Sequence, residues 1–304
     1  MSAAGFIGLG AMGGPMAKSL LEAGHAVNAY DPRPEAVAAI VALGATAAAS
    51  PADAAKGADV VFTSVPGPKD VEGLAEVLVD AMRPGAAWFD LTTNSPTVVR
   101  SLHARLAAKG IALLDAPVSG GPKGAQTKKL AMWVGGDEAV YRRHEALLKA
   151  MAEDAVYVGP IGAGTVAKLA HNCASFAIQT ALAEAFSLGV KAGVEPLALL
   201  KAVRQGATGR KRPFDRLVEQ YLPGAFDPPA FALSLAHKDL KLAMELGREV
   251  GVPMRISELV MQDFEEAMGR GWAGRDSRVP MLLQDERAGV SPRVDPARLK
   301  DALA

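Results

Sequence analysis

The sequence predicts a doubly wound, parallel α/β sheet over residues 1–162, followed by an all-helical domain over residues 163–304. Three observations predict it. Short apolar runs alternate with helical patterns as far as residue 160. A glycine-rich turn directly follows the first apolar run. Beyond the glycine cluster "GPIGAG" (159–164) the strand signals stop and only helical patterns continue.

In order along the chain, "AGFIGLG" (4–10) reads as a buried strand and Met12–Ala23 as a helix. "HAVNAY" (25–30) is the next strand, and Pro34–Leu43 is a helix with proline in its first turn. The strand "DVVFTSVP" (59–66) precedes a helix at 71–81, and "AAWFDLT" (86–92) precedes one at 96–108. "IALLDAPV" (111–118) is a further strand, and "LAMWVGG" (130–136) and "AVYVG" (155–159) bracket one more helix and extend the sheet. The helical part comprises 164–192, 196–205, 213–221, 235–250, 256–270 and 279–288.

Bulk properties narrow the function classes. A chain of 304 residues, half of them hydrophobic, can bury a large core and has the length of about two domains. Its 33 basic and 33 acidic residues balance, with no charged tail, so nothing points to nucleic acid or an anionic membrane. The single cysteine, Cys173, excludes an internal disulfide and fits a reducing compartment. The start does not resemble a signal peptide, and the longest apolar stretch contains Lys168, which makes it a poor spanning helix. A cytoplasmic protein without membrane or nucleic-acid partners is expected.

The first turn carries chemistry. "FIGLGAMGGPMA" contains Gly8-x-Gly10-x-x-Gly13 between a strand and a helix. The first glycine permits the turn, the second lets backbone approach a pyrophosphate, and the third packs helix on strand. The helix N-terminus adds N–H groups and partial positive charge. This is the phosphate cradle of a Rossmann-type fold, with Gly8, Leu9, Gly10, Ala11, Met12 and Gly13 as candidate cofactor-binding residues. A bare glycine pattern is weak in a glycine-rich chain. Asp31, at the end of the next strand, strengthens it as the acid expected on the adenosine ribose. A carboxylate there repels a 2′-phosphate and favours NAD, while Arg33 leaves NADP possible.

Two further stretches stand out. "DAPVSGGPKGAQ" (115–126) follows a strand, and its Ser119, Gly120 and Gly121 offer a hydroxyl and backbone N–H groups to an anion; a plain glycine turn is the bland alternative. In "GTVAKLAHN" (164–172), Lys168 is the one formally charged residue between Pro160 and Ala183. A lone lysine on a helix ordinarily snorkels to water. Here Gly164, Lys168 and Asn172 are spaced by four and share a face, so a gap, an amine and a carboxamide line up.

Taken together, "GLGAMGGPMA", "DAPVSGGPKGA", "GAGTVAKLAHN" and "HKDLKLAMELGREVGVPM" resemble, in order and spacing, the β-hydroxyacid dehydrogenase family. That family includes 3-hydroxyisobutyrate dehydrogenase and tartronate semialdehyde reductase. The resemblance implies that Lys168 is the catalytic lysine, with Asn172 orienting substrate beside it. It implies that Ser119, Gly120 and Gly121 hold the substrate carboxylate. Val65, Pro66 and Thr93 match cofactor-contacting positions, Lys238 matches a lysine reaching cofactor and substrate, and Phe231 matches an aromatic lining the same cleft. Asp239 would support Lys238.

The implied activity is hydride transfer between NAD(H) and a small β-hydroxy acid or semialdehyde, by a dimer or tetramer and without a metal. A helix of roughly 30 residues, about 45 Å long, fits such association. Alternatives are an NADPH-dependent tartronate, succinic or glyoxylate-type semialdehyde reductase and a non-catalytic dinucleotide-binding module. 6-Phosphogluconate dehydrogenase has a longer chain, and imine reductases commonly differ at the Lys168 position. The sequence departs from many relatives at His171, where asparagine is usual; a helix-facing role without chemistry is expected there. It departs again in the basic segment 204–216, whose arginines are expected to form a solvated face unless Arg210 or Arg212 reads a second anionic group.

Overall fold

The computed structural model describes residues 3–303. The chain divides into two compact units, Met1–Ala174 and Ser175–Ala304. The division falls inside one long helix, whereas the sequence places a boundary at 162/163, just before that helix begins.

The first unit runs β1 (Ala3–Ile7), α1 (Gly13–Glu22), β2 (Ala26–Tyr30), α2 (Pro34–Val41), β3 (Thr46–Ala47), α3 (Pro51–Ala55), β4 (Val60–Thr63), α4 (Pro68–Ala81), β5 (Ala87–Asp90) and α5 (Pro96–Ala107). It continues with β6 (Ala112–Asp115), β7 (Val118–Ser119), α6 (Gly121–Thr127), β8 (Ala131–Gly135), α7 (Glu138–Met151), β9 (Asp154–Gly159) and the start of α8 (Ala163–Lys191). The sheet order is β3-β2-β1-β4-β5-β6-β8-β7, with β9 beside β8.

Strand alternation builds the core. Phe6, Phe62, Phe89 and Leu114 occupy equivalent places on adjacent strands and face one side of the sheet. Their neighbours Ile7, Val61, Trp88 and Leu113 face the other. The three phenylalanine rings stand 5.9 and 5.7 Å apart, filling the layer under α1 and α7.

Pairing is parallel from β3 through β6 and between β8 and β9, but β8 runs antiparallel to β6 and β7. The expected parallel, doubly wound sheet thus carries antiparallel pairs at β8 alone among its described strands. The segment between Ser119 and Ala131, with the short helix α6, lacks the length for a parallel crossover. The strand expected over 111–118 is likewise divided, because Pro117 has no N–H to pair.

The second unit holds the rest of α8, then α9 (Pro196–Gln205), α10 (Ala207–Arg210), a π-helical turn (Leu217–Tyr221), α11 (Leu233–Val250), α12 (Arg255–Gly269), α13 (Met281–Ala288) and α14 (Pro296–Leu303). Among its described residues no strand occurs beyond an isolated bridge, Ala232–Asp276. The helix expected over 213–221 begins at 215–216 and continues as a π-helical turn over Leu217–Tyr221, and Arg212 N–H donates to the Asp215 carboxylate at its start. One core gathers Phe226, Leu233, Ala267, Val279 and Leu283. Another gathers Leu188, Met244, Met254 and Met261. Glu184 of α8 accepts from Ile256 N, Ser257 N and Ser257 Oγ and so fixes the start of α12.

With 29 residues and a mean hydropathy of 1.3 in its most apolar window, α8 is long and apolar enough to cross a membrane. Its first turn is nevertheless hydrogen-bonded to the sheet, as described below.

Candidate active site

The parallel strands β1, β4, β5 and β6 all end on one edge of the sheet, and β1 lies between β2 and β4, where the strand order reverses. Ligands of open α/β sheets bind at such a switch point. A cavity of about 840 Å³ opens there, lined among others by Gly8, Gly10, Ala11, Met12, Gly13, Asp31, Arg33, Val65 and Pro66.

The three motif glycines divide their tasks. A Cβ on Gly8, which has φ +91°, would stand 2.2 Å from Ser64 O. A Cβ on Gly13 would stand 1.9 Å from Gly8 O, so helix and turn meet backbone to backbone. At Gly10 the nearest heavy atom is Arg33 Nη2, at 3.8 Å. The space a side chain would fill at Gly10 is therefore left to a ligand, and α1 starts at its edge. This arrangement fits a pyrophosphate.

Asp31 lines the same cavity, at the end of β2. It is 7% exposed, and Leu9 N donates to its Oδ2 at 2.7 Å. Arg33 donates three times, from N and Nε to Oδ1 and from Nη2 to Oδ2. The Arg33 guanidinium, with the two backbone N–H groups, holds the carboxyl down to about 2 against the opposing effect of burial. Leu9 contributes this backbone bond; its side chain is buried below the turn.

A buried network fixes the neighbouring loops. Asp90, at the end of β5, accepts from Thr63 Oγ1, Thr92 N and Asn94 Nδ2, while Trp88 Nε1 donates to Thr63 Oγ1. Burial pushes the Asp90 carboxyl up, and the hydrogen bonds oppose it. Val65 N donates to Thr92 Oγ1 at 3.2 Å, which ties the loop after β4 to the loop after β5. Thr93 is exposed in the second loop and is not among the residues lining the cavity.

Lys168 is aimed by a second construction. Asp115, at the end of β6 and 1% exposed, accepts from Gly162 N at 2.7 Å and Thr165 N at 2.6 Å. A Cβ on Gly164 would lie 2.3 Å from Trp133 O, and one on Gly135 would lie 2.8 Å from Gly164 N. The first turn of α8 is thus pressed against β6 and β8, backbone to backbone beside the Asp115 carboxylate. Lys168 follows one turn later, with Nζ 6.0 Å from the centre of the Trp133 ring. The amine is half-buried, and burial lowers its pKa from the ordinary 10.5. Asn172, also half-buried, stands one turn further on the same face.

Ser119, Gly120 and Gly121 join β7 to α6. Gly120 and Gly121 have φ values of +129° and +62°, a backbone that favours glycine at both positions. Ser119 Oγ lies 3.3 Å from His171 Nε2, and the His171 ring packs on Trp133 with centroids 5.3 Å apart. The expectation that His171 faces a neighbouring helix is corrected: the residue three after Lys168 meets Ser119 of β7 and Trp133 of β8.

Sequence reasoning missed Asp90, Asp115 and Trp133. The two aspartates had one signal, a charged residue closing an otherwise apolar strand.

In the second unit, Lys238 and Asp239 form an ion pair at 2.9 Å, and both are well exposed. Phe231 is 42% exposed, and its N–H donates to Asp276. In the basic segment, residues 204–215 are exposed; Lys211 pairs with Glu219, and Arg216 bonds Thr208 Oγ1. Among the described residues no group of His, Cys, Asp and Glu is suited to a metal.

Comparison with known proteins places these features. Residues 3–159 match the family model for the NAD-binding domain of 6-phosphogluconate dehydrogenase. Residues 162–281 match the NAD-binding model of NADP-dependent 3-hydroxyisobutyrate dehydrogenase. The chain is 36% identical to 2-(hydroxymethyl)glutarate dehydrogenase of Eubacterium barkeri, over 94% of this chain and 96% of that one. It is 36% identical to the NAD-dependent L-serine dehydrogenase of Pseudomonas aeruginosa, over 93% and 98%. A solved structure of Mycobacterium tuberculosis 3-hydroxyisobutyrate dehydrogenase with L-serine superposes with a TM-score of 0.67 at 34% identity, covering 93% of this chain and 99% of that one. With both family models in register along it and full-length relatives at this identity, the chain belongs to the β-hydroxyacid dehydrogenase family.

Proposed function

We propose that this protein is an NAD-dependent dehydrogenase that interconverts a small β-hydroxy carboxylate and its semialdehyde, with Lys168 as general acid–base. The acids named for the three relatives each carry a primary hydroxyl on the carbon β to a carboxylate. That shared group supports the substrate class proposed here. The observation that carries the reading is the Lys168 amine, half-buried over Trp133 on a helix pinned to the sheet by Asp115.

NAD held at the α1 turn would supply hydride exchange with the hydroxyl-bearing carbon of the acid or the aldehyde carbon of the semialdehyde. Lys168 Nζ takes the hydroxyl proton in oxidation and gives it back in reduction. Its burial favours the neutral amine that the oxidative direction needs. Ser119, Gly120 and Gly121 hold the carboxylate and so fix how far the reacting carbon lies from it; Asn172 orients the hydroxyl beside the amine. Gly10 and the start of α1 hold the pyrophosphate.

Asp31 is the ribose acceptor, but its four lone-pair positions are matched by four donors, three of them from Arg33. Ribose hydroxyls therefore displace the Arg33 side chain, and the displaced guanidinium leaves NADP as a possible second cofactor. Lys238 and Phe231 are assigned to cofactor and substrate contact on the family pattern alone. Homodimers or homotetramers are proposed, supported by apolar residues exposed on α8, such as Phe176 at 63% and Leu182 at 59%. The charge balance and the single cysteine support a cytoplasmic enzyme without nucleic-acid or membrane partners.

The test is a panel of β-hydroxy acids with NAD and with NADP, comparing wild type with Lys168→Ala. Turnover should fall by about 10²–10⁴-fold in the variant, the range of general acid–base catalysis, while NADH still binds. Near-normal turnover in the variant would remove the lysine from the chemistry.

A further inference from the structure

His171 is the residue of this site that the family pattern leaves unexplained. Two contacts place it, and one of them is shared with Lys168. Nε2 lies 3.3 Å from Ser119 Oγ, the ring packs against Trp133 at 49°, and the same indole carries Lys168 Nζ at 6.0 Å. Being three residues apart on α8, Lys168 and His171 share a helix face. One indole therefore lies beside both the amine and the imidazole.

Hydrogen-bond accounting fixes the direction of the Ser119–His171 contact. A carboxylate only accepts, so a serine hydroxyl that binds one must donate its single proton to it. The contact from His171 must then be a donation into a lone pair of Oγ. Nε2–H supplies that donation in one neutral tautomer and in the imidazolium alike. In the opposite arrangement the serine proton would be spent on the imidazole, and Ser119 would turn only lone pairs toward an anion.

We infer that His171 is a positioning residue for substrate selection. It donates Nε2–H to Ser119 Oγ and thereby turns the Ser119 hydroxyl proton toward the carboxylate of a β-hydroxy acid. Trp133 holds the imidazole plane in place. This rests on Ser119 being the carboxylate-binding residue. An asparagine at this position carries its amide nitrogen about where histidine has Nδ1, short of Nε2, whereas glutamine reaches further. The histidine therefore performs a task here that the asparagine of many relatives cannot.

The test is calorimetric titration of L-serine and of 3-hydroxyisobutyrate into the enzyme–NADH complex, which binds the acid without turning it over. His171→Ala and His171→Asn should weaken acid binding by about 10-fold, the loss of one hydrogen bond that acts on a charged group. His171→Gln should recover most of it. Ser119→Ala combined with His171→Ala should bind no worse than Ser119→Ala alone. NADH affinity should be unchanged, and in turnover the loss should fall on KM with kcat nearly constant. Equal acid binding by wild type and His171→Ala would overturn the inference and leave the carboxylate site standing. Additive losses in the double variant would also overturn it, by showing that His171 acts separately from Ser119. Failure of wild type to bind either acid would overturn the Ser119 assignment and this inference together.

Discussion

The helices α1 and α8 begin alike and present different things. Each starts after a strand and a glycine of positive φ, Gly8 and Gly162. Each start is tied down by a largely buried aspartate, Asp31 through Leu9 N and Asp115 through Gly162 N and Thr165 N. At α1 the carboxylate stands beside the helix, and the space at Gly10 stays open to the cavity. At α8 the carboxylate occupies the helix N-terminus itself, and Gly135 and Gly164 are filled by backbone. A helix N-terminus attracts anions. The first is left for an anion from outside; the second is already satisfied from inside. So α1 offers backbone to a ligand, whereas α8 serves as a rigid mount for Lys168. Asp31 is held low by a guanidinium, while Asp115 is pushed up by burial against the backbone N–H groups it accepts from.

Breaking the second mount should have the largest effect. Asp115→Ala leaves two backbone N–H groups without their acceptor, at about 1–3 kcal/mol each, and lets the first turn of α8 move. Thermal melting should show that loss, and turnover should fall by about 100-fold, since small misplacements of catalytic groups cost this much. Asp115→Asn keeps one acceptor oxygen and should recover part of both. Unchanged turnover in Asp115→Ala would mean that α8 is aimed by other contacts.

The first turn can be dissected by two alanines. Gly13→Ala forces a methyl onto Gly8 O and should cost about 1–3 kcal/mol or more of stability. Gly10→Ala meets open space, so the protein should melt as wild type yet bind NADH at least about 10-fold more weakly, because the methyl takes the ligand's place. Normal NADH binding by a folded Gly10→Ala protein would contradict the assigned cradle. A smaller change should follow Asp31→Ser: without its carboxylate partner the Arg33 guanidinium is released, and the ratio of kcat/KM for NADP over NAD should rise by about 10-fold. A constant ratio would show that Arg33 does not reach the 2′ position.

The two mounts also differ in how legible they are. The α1 turn is written in consecutive residues, Gly8 to Gly13, with Asp31 at a set distance, so pattern alone finds it. The α8 mount is assembled from Asp115, Trp133, Gly135 and Gly162–Thr165, which only the antiparallel pairing of β6 and β8 brings together. Sequence spacing gave Lys168 and Asn172 a common face but said nothing of what held that face. His171 was misjudged for the same reason, because its partners Ser119 and Trp133 come from β7 and β8. The doubly wound sheet and the helical second unit were legible through apolar periodicity. The exceptions sat at Pro117, which has no N–H to pair, and at 213–221, where the helix turns π-helical over Leu217–Tyr221.

The central claim is that the amine mounted on α8 moves the proton. Its most direct test is the pH dependence of kcat/KM for oxidation of a β-hydroxy acid with saturating NAD, in wild type and in Lys168→Ala. Wild type should show activity rising with pH through a single pKa below 10.5, as the buried amine loses its proton. That rise should be absent from the residual activity of the variant. The same rising profile in Lys168→Ala would contradict the account.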